Sequence, residues 1–225
     1  MWCVPDLTPT FIARMEDVLD SYEKPLDPKE PVVGLDEKPV QLREQERDPK
    51  PGRSGKVARY DYEYARCGTA NVFCAIEPKA GRHFIEATPN RKGATFAAML
   101  ERLAAAYPRA RTIHLVVDNL STHSRKCVTD TLGVKAGTRL WNRFTWHFTP
   151  AHGSWLNVAE CEISLVSCES LGHDRIPTLE RLRERVAAWE ADANRHQRKI
   201  RWKFTTAKAR KKFGYEMPNS LRSGD

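Results

Sequence analysis

Two aspartates in this sequence interrupt or end apolar runs, which is an uncommon place for a carboxylate. Asp36 lies within the stretch VVGLDEKPVQL, and Asp118 ends the apolar part of HLVVDNLSTH. A carboxylate that faces a protein core costs several kcal/mol unless it is paired with a cation or binds a metal. Each residue also has an ordinary alternative. Asp36 suits an outward-facing position on an edge strand, and Asp118 suits a turn or a cap.

A third acid lies in the segment SWLNVAECEISL, where Glu160 and Glu162 compete for one role. Residues two apart on a helix point about 200° apart, so at most one of these glutamates faces a sheet. Asn157 precedes Glu160 by one turn on the same face. Periodicity does not choose between the glutamates, and a solvated helix surface suits either of them. If one meets Asp36 and Asp118, the three carboxylates can bind two divalent hard cations.

Three polar residues near these acids are candidates for a supporting role. His123 closes the block D-N-x-x-x-H and can orient a phosphate or a metal-bound water, although a purely structural hydrogen bond also suits it. Asn119 and Asn157 can hydrogen-bond the acids or their metals, or can serve an ordinary turn and helix. Glu37 is expected to point away from Asp36, because successive strand residues alternate faces. It is therefore left out of the acid set.

The first half of the chain predicts a helix followed by antiparallel strands. Residues 11–20 have apolar positions at helical spacing, and a proline-rich linker follows them. The stretch around VVGLD predicts a buried strand. The sequence YEYARCGTANVFCAIEPKAGRHFIEATP predicts two or three antiparallel strands, with turns near Gly68 and residues 80–81.

The second half alternates helices with strands. An amphipathic helix is predicted over residues 91–108, a central parallel strand over TIHLVVDNL, and another strand over residues 143–151. Two helices follow, one over residues 154–171 with Ser154 as its N-cap and one capped by Thr178. This order predicts an α/β fold, a mixed sheet with antiparallel first strands, later parallel strands and helices on both faces. Sites in such sheets gather at strand ends.

The composition describes one soluble globular domain with a preference for polyanions. The 225 residues carry 37 Lys and Arg against 29 Asp and Glu, a formal charge of +8. The isoelectric point is about 9.3 and the mean hydropathy is −0.60. This charge favours nucleic acid as a partner, although a basic surface can also serve solubility alone.

The six cysteines include no C-x-x-C pair, which predicts reduced, mostly buried thiols in a cytosolic protein. The start of the chain lacks the pattern of a secretory signal, and no apolar run is long enough to span a bilayer. We therefore expect no membrane partner.

The segment RHQRKIRWKFTTAKARKKF is strongly basic and contains no acid. Trp202 and Phe204 lie among its charges and offer stacking surfaces, so the segment is a candidate for contact with a DNA backbone. A solvated basic tail is the alternative. The candidate DNA-binding residues are Arg198, Lys199, Arg201, Lys203, Lys208, Arg210, Lys211 and Lys212.

Three ordered blocks carry a family resemblance. VVGLDEKPVQL, HLVVDNLSTH and HFTPAHGSWLNVAE resemble the catalytic blocks of bacterial insertion-sequence transposases of the mariner superfamily, in the six-thirty insertion-sequence family. The opening WCVPDLTPTFIARMEDVLDSYEKPLDPKEP and the closing WKFTTAKARKKF also resemble that family's flanking segments. The resemblance therefore covers nearly the whole chain.

The resemblance implies a ribonuclease H-like fold and an acid triad of Asp36, Asp118 and Glu160. It favours Glu160 over Glu162, because the family's S-W-L-N-x-x-E pattern places the acid there. The triad would bind two Mg²⁺ ions, for which Mn²⁺ can substitute, roughly 4 Å apart. The implied activity is cleavage of DNA at the element ends, followed by strand transfer into a TA target.

The resemblance also implies partners, a location and a domain division. The partners are terminal inverted repeats, target DNA and a second copy in a homodimer on DNA. Family members carry N-terminal helix-turn-helix domains, and this chain begins where those should end, so a separate N-terminal half is a further expected partner. We expect a cytoplasmic bacterial protein that is nucleoid-associated on DNA. The expected division is an N-terminal helix and linker (1–31), a catalytic domain (32–192) and a basic C-terminal tail (193–225).

Two other functions compete with the transposase. The first is a catalytically inactive truncated remnant that folds and binds DNA through its basic surface without cutting it. The second is a host nuclease on the same fold, which would cut without inverted repeats and without joining its products. The complete triad favours the enzyme, the missing recognition domains favour the remnant, and the family-like flanks disfavour the host nuclease.

Overall fold

The structure of the chain is a computed structural model that describes residues 6–47, 52–57, 62–172 and 174–215. Its strands are β1 (Val32–Gln45), β2 (Tyr64–Glu77), β3 (Arg82–Thr88), β4 (Ile113–Val117) and β5 (Phe144–Phe148). Its α-helices are α1 (Pro9–Glu23), α2 (Gly93–Ala106), α3 (Arg125–Leu132), α4 (Val134–Trp141), α5 (Ala159–Val166), α6 (Leu179–Arg195) and α7 (Thr206–Phe213).

The five strands form one mixed sheet in the order β3-β2-β1-β4-β5. β1 pairs with β2, and β2 with β3, in antiparallel ladders, whereas β4 is parallel to both β1 and β5. The parallel strands are joined through helices, because a parallel connection must cross back over the sheet. The predicted α/β mixed sheet is therefore confirmed.

Helices cover both faces of this sheet. On one face, Phe96 and Leu100 of α2 pack on a cluster that includes Leu35 and Leu115. On the other face, α5 and α6 cover β2 and β3, while α1 and α7 cover β1 and β4. Alternate residues of β1 thus enter opposite layers, as the period of two of a strand requires.

The predicted turn near Gly68 is wrong. β2 runs through this position without a break, and Gly68 adopts a φ of +110° opposite a register shift between Leu42 and Arg43. A glycine with positive φ is common at such irregularities of a ladder. The turn predicted at residues 80–81 is present, and the Gly81 N–H donates to the carbonyl of Glu77 over 2.9 Å.

Ser154 does not cap a long helix. A short 3-10 helix spans Ser154–Leu156, α5 begins only at Ala159, and a π-helical turn, Ser167–Leu171, follows α5. The N-cap of α5 is Val158, and the Asn157 side-chain oxygen accepts the N–H of Ala159, the first residue of α5, over 3.1 Å. The cap predicted for the next helix is confirmed, because Thr178 Oγ1 accepts the Arg181 N–H over 3.2 Å.

Helices α1 and α7 are joined by an ion pair between a buried glutamate and a half-buried arginine. Both carboxylate oxygens of Glu16 accept hydrogen bonds from the Arg210 guanidinium, over 2.8 and 2.9 Å. The Tyr215 hydroxyl donates to the same carboxylate over 3.0 Å. These bonds lower the pKa of Glu16, although burial opposes them. The residues predicted as a basic tail therefore include a packed helix, and residues 216–225 lie outside the described part of the chain.

The expectation that the cysteines are mostly buried is wrong for the described residues. Cys67, Cys161 and Cys168 are exposed, Cys127 is half-buried, and Cys74 of β2 is buried. Cys3 lies outside the described residues. In the described part of the chain, none of the helices has the length and apolar character needed to cross a bilayer.

Candidate active site

Strand register brings Asp36 and Asp118 side by side. The parallel ladder of β1 and β4 ends at Gly34 opposite Val116. Continuing that register by two residues places Asp36 level with Asp118, at the point where the two strands separate. Neighbouring parallel strands that diverge leave a crevice at their carboxyl ends, where polar side chains can face a ligand.

Asn157 and Gly34 bring the third acid to this crevice. The Asn157 amide donates to the carbonyl of Leu35 over 2.8 Å, which fixes the start of α5 beside the strand position that precedes Asp36. A Cβ atom on Gly34 would lie 2.5 Å from a methyl carbon of Val158. Only glycine permits so close an approach, so Gly34 and Asn157 together set the distance from Glu160 to the strand acids.

The electrostatics of these acids show that they interact. Burial raises the pKa of Asp36 to about 7, and the negative charges of Glu37, Asp118 and Glu160 act in the same direction. A hydrogen bond of 2.8 Å from the Glu37 N–H opposes them only in part. Among the described residues, no three His, Cys, Asp or Glu side chains lie close enough to hold a metal as they stand. The acids are near enough to repel one another, yet they do not form a closed site.

His123 connects Asp118 to Glu37. Its Nδ1 hydrogen-bonds the main-chain carbonyl of Asp118 over 3.2 Å and forms an ion pair with Asp118 Oδ1 at 2.8 Å. Its Nε2 lies 2.8 Å from Glu37 Oε1. Its ring packs on Phe96 with 4.5 Å between ring centroids. Burial would lower the pKa of His123, but the two carboxylates outweigh it and raise that pKa to about 9. Burial would likewise raise the pKa of Asp118, but the bond and charge of His123 lower it.

Asp118 is also a turn residue. Its Oδ1 accepts the Leu120 N–H over 3.1 Å, as the ordinary interpretation of an aspartate after a strand predicts. Within the described residues, the neighbouring Asn119 makes no hydrogen bond to an acid. Its amide donates to the carbonyl of Thr149, and its oxygen accepts from Arg14 over 2.9 Å. Asn119 therefore fastens the loop after β4 to the end of β5 and to α1.

Glu162 lies away from the crevice. It is buried between α5 and β3, with Oε2 3.2 Å from His83 Nδ1. These two atoms are close but poorly aligned, and neither has a hydrogen-bond partner among the described residues. Glu160, by contrast, is half-buried and acts electrostatically on Asp36.

The candidate DNA-binding residues fall into two groups. Arg210 pairs with Glu16, and Arg198 pairs with Glu169 and Asp192 over 2.6 and 2.8 Å. The remaining candidates are exposed: Lys199, Arg201, Lys203, Lys208, Lys211 and Lys212.

The stacking surfaces expected from Trp202 and Phe204 are used inside the protein. Trp202 packs on Tyr22 with ring centroids 5.1 Å apart, and Phe204 packs on Trp155 at 5.6 Å. Charged and apolar residues alternate between positions 199 and 204, so an extended backbone directs the charges outward and the rings into the core.

Sequence reasoning missed three residues that shape this site: Gly34, Glu37 and Arg14. A glycine inside an apolar strand signals close approach of another backbone, and that signal pointed to Gly34. Glu37 was set aside because it faces away from Asp36, and it does enter the other layer, where it meets His123. No local pattern marks Arg14, because its partner Asn119 is 105 residues away.

Comparison with known families identifies the class of protein. The sequence matches the DDE superfamily endonuclease family over residues 31–183. The chain therefore belongs to that family. No curated protein matches it.

Solved structures of the Mos1 mariner transposase share the fold. A pre-cleavage Mos1 transpososome is similar with a TM-score of 0.58 and 16% identity, over 94% of this chain and 64% of that one. The Mos1 mariner paired-end complex with Mn gives a TM-score of 0.54 and 18% identity, over 88% of this chain and 61% of that one. The protein thus has the ribonuclease H-like fold of Mos1 transposase and spans less than two thirds of those chains.

Proposed function

We propose that this chain is the catalytic part of a transposase that cleaves DNA at the ends of an insertion sequence and transfers the strands to a target. The single observation that carries the proposal is the parallel ladder that ends at Gly34 and Val116, two residues before Asp36 and Asp118, inside a DDE endonuclease match. The three sequence blocks further favour a bacterial origin, in the six-thirty family of the mariner superfamily. The location we propose is cytoplasmic, on the nucleoid when DNA is bound.

The donor chemistry of the site suits hard divalent cations. Asp36, Asp118 and Glu160 offer carboxylate oxygens, which Mg²⁺ and Mn²⁺ prefer over nitrogen or sulfur ligands. Asp36 faces like charges and has no ion pair among the described residues, so a cation would relieve its desolvation. We propose that Asp36, Asp118 and Glu160 would hold two Mg²⁺ ions, with Mn²⁺ as a substitute. Such ions, when bound, polarise a phosphodiester and lower the pKa of the attacking oxygen.

The chain's own residues would position the acids and the DNA. Asn157 and Gly34 hold the start of α5 against β1, which keeps Glu160 beside the strand acids. Hydrolysis at an element end and attack by the freed 3′-hydroxyl would use the same crevice. The exposed cations at positions 199–212 would neutralise backbone phosphates near the site.

The proposed partners are terminal inverted repeats and target DNA, with a second copy on the DNA and a separate N-terminal helix-turn-helix half. The Mos1 paired-end complexes are named for transposon ends, which supports DNA as the partner of this fold. We keep the division into 1–31, 32–192 and 193–225 as a proposal about domains. In the described residues, α1 and α7 pack against the same sheet as the rest of the chain.

The experiment that tests the function is nicking of supercoiled plasmid in Mg²⁺ or Mn²⁺. The intact chain should nick the plasmid, and Asp118→Asn should not. Asp130→Asn, an exposed acid on α3 paired with Lys126, is the matched control and should nick like the intact chain. If the intact chain does not nick, adding the N-terminal half distinguishes an incomplete enzyme from an inactive DNA-binding remnant.

The DNA surface has its own test, which is the salt dependence of binding. Replacing Lys199, Arg201 and Lys203 together by alanine should weaken binding to all sequences. It should also make the slope of log K against log salt less steep by about 0.9 for each phosphate that is no longer neutralised. Lys126→Ala, an exposed lysine on α3, should leave the slope unchanged. A slope that is equal in all three proteins would exclude these cations from the DNA surface.

A further inference from the structure

The ladder between β1 and β4 does not itself hold Asp36 and Asp118 in place. Its last pair is Gly34 and Val116, two residues before the acids on each strand. In the described part of the chain the ladder pairs no residues beyond these two, and the charge of Asp118 raises the pKa of Asp36, so the two acids repel each other. A second connection is therefore needed to fix their separation.

The side chains of Glu37 and His123 make that connection. Asp36 Oδ1 accepts the Glu37 N–H over 2.8 Å, Glu37 Oε1 lies 2.8 Å from His123 Nε2, and His123 Nδ1 lies 2.8 Å from Asp118 Oδ1. The path runs from one acid to the other without a gap. It passes through the layer of α2 and α3, behind the face on which Asp36 meets Glu160.

The connection consists of two buried polar side chains, whose desolvation costs free energy. The side chains of His123 and Glu37 are 0% and 2% exposed, and Phe96 packs against the imidazole ring. Desolvating a carboxylate and a histidine costs several kcal/mol unless each is well hydrogen-bonded. An apolar pair would fill the same space without that cost, so packing alone does not account for a buried pair of Glu37 and His123 next to Asp118.

The bonds also select which oxygen of Asp118 remains available. Within the described residues, the Asp118 carboxylate accepts a hydrogen bond only on Oδ1, from the Leu120 N–H, and its ion pair with His123 Nδ1 also uses Oδ1. The same His123 nitrogen hydrogen-bonds the main-chain carbonyl of Asp118 over 3.2 Å. The second oxygen, Oδ2, is left for another ligand. Partners of this kind commonly orient a metal-ligating side chain, and their loss costs about 10- to 100-fold in metal affinity.

We propose that Glu37 and His123 are positioning residues that hold Asp118 relative to Asp36 and orient its free oxygen toward a divalent cation. This rests on the proposed function, because it assumes that the acids bind metal. Neither residue touches the reacting atoms. Glu37 fixes the ring of His123, and His123 fixes the carboxylate.

Two substitutions of His123 separate the two ends of its ring. In His123→Asn the amide nitrogen takes the place of Nδ1, which keeps the bond to Asp118 and loses the bond to Glu37. In His123→Gln the amide nitrogen takes the place of Nε2, which keeps the bond to Glu37 and loses the bond to Asp118. Both variants remove the ring from Phe96, so each serves as a control for the loss of packing.

The measurement is calorimetric Mn²⁺ binding to the full chain without DNA, with thermal unfolding of each variant alongside. We expect His123→Gln to bind Mn²⁺ about 10- to 100-fold more weakly than the intact chain. His123→Asn, which breaks only the connection to Glu37, should lose less affinity than His123→Gln and more than Glu37→Gln. Glu37→Gln, which keeps an acceptor for Nε2, should stay within about 5-fold. Equal affinities for both His123 variants, or losses that simply follow their stabilities, would overturn the positioning role.

Asp118→Ala distinguishes a wrong positioning role from a wrong metal site. It should abolish the Mn²⁺ site that Asp118 helps to form. If the intact chain binds no Mn²⁺, or if Asp118→Ala binds it equally well, the proposed metal site is wrong and the positioning role falls with it. If Asp118→Ala loses binding while His123→Gln does not, only the positioning role is wrong.

Discussion

Two groups of acids in this protein illustrate opposite uses of a carboxylate. Glu16, between α1 and α7, receives three hydrogen bonds from Arg210 and Tyr215, and its pKa is lowered. Asp36, at the crevice, receives one backbone hydrogen bond, faces acids, and has its pKa raised to about 7. Both carboxylates are shielded from water, so burial alone does not explain why one pKa is lowered and the other is raised.

The difference lies in the partners. A buried carboxylate with a bidentate guanidinium contributes to the fold, and removing its partner leaves an uncompensated charge. A buried carboxylate among like charges costs stability and is retained where it serves a ligand. The comparison therefore predicts that variants of the Glu16 ion pair lose stability. Variants of the acids at the crevice should lose activity and gain stability.

The largest expected effect contrasts two glutamates on α5. Glu160→Gln should reduce metal-dependent DNA nicking by about 1000-fold, which corresponds to about 4 kcal/mol of transition-state free energy, because it removes a proposed metal ligand. Glu162→Gln should stay within about threefold of the intact chain, since Glu162 faces His83 instead of the crevice. Nicking rates under saturating Mn²⁺ measure both, and a reversed order would reassign the third acid.

The second effect breaks the ion pair between the helices. Arg210→Met should lower the free energy of unfolding by about 2–3 kcal/mol, because it leaves the 7% exposed Glu16 carboxylate without its cation. Arg210 itself is 39% exposed, so the effect should be smaller than for a fully buried pair. Lys211→Met, exposed on the same helix, is the control and should change little. Urea denaturation at neutral pH measures both free energies.

The same pair has a pH signature. The pKa of Glu16 is lowered in the folded state, so its stabilisation is present above its ordinary pKa and is lost as the pH falls through the folded value. Arg210→Met should therefore differ less from the intact chain at pH 3 than at pH 7. An equal difference at both pH values would exclude the carboxylate as the cause.

The third effect has the opposite sign and concerns Asp36. Because the folded chain keeps the Asp36 proton up to a pKa of about 7, it binds more protons than the unfolded chain between roughly pH 4 and pH 7, and stability falls as the pH rises through that window. Asp36→Asn removes this loss. In metal-free buffer at pH 8 it should be more stable than the intact chain by on the order of 2 kcal/mol.

The control for Asp36→Asn is Glu101→Gln, which neutralises an exposed acid on α2. It should leave the free energy of unfolding within about 0.5 kcal/mol at both pH 5 and pH 8. If Asp36→Asn is no more stable than Glu101→Gln at pH 8, the ionised Asp36 carboxylate does not destabilise the folded chain.

The smallest effect sharpens the structural side of the comparison. Thr205 caps α7, with its Oγ1 accepting the Lys208 N–H over 3.3 Å. Thr205→Ala should cost about 0.5–1 kcal/mol of stability, whereas Thr205→Ser keeps the acceptor and should cost less. Melting temperatures of the two variants measure the difference, and equal losses would assign the effect to the methyl group.

The order of elements could be predicted because hydrophobic periodicity is local. The apolar runs that end near Asp36 and Asp118 showed two strands, and the spacing of apolar residues showed the helices that cover them. The prediction of one long helix from Ser154 was wrong, because the local spacing of apolar residues does not show the interruption at Asn157. Asn157 bonds to Leu35, 122 residues away, and the helix is interrupted there.

What the sequence alone determined is therefore the α/β class, its mixed sheet, and the strands that carry the two aspartates. The tertiary structure decided which neighbours those aspartates have. Glu37 and His123 are 86 residues apart, and Glu16 and Arg210 are 194 apart. Periodicity fixes the face on which a side chain lies, but strand register and helix packing fix what it meets. For this reason a glutamate set aside as facing the wrong way came to meet the histidine that holds Asp118.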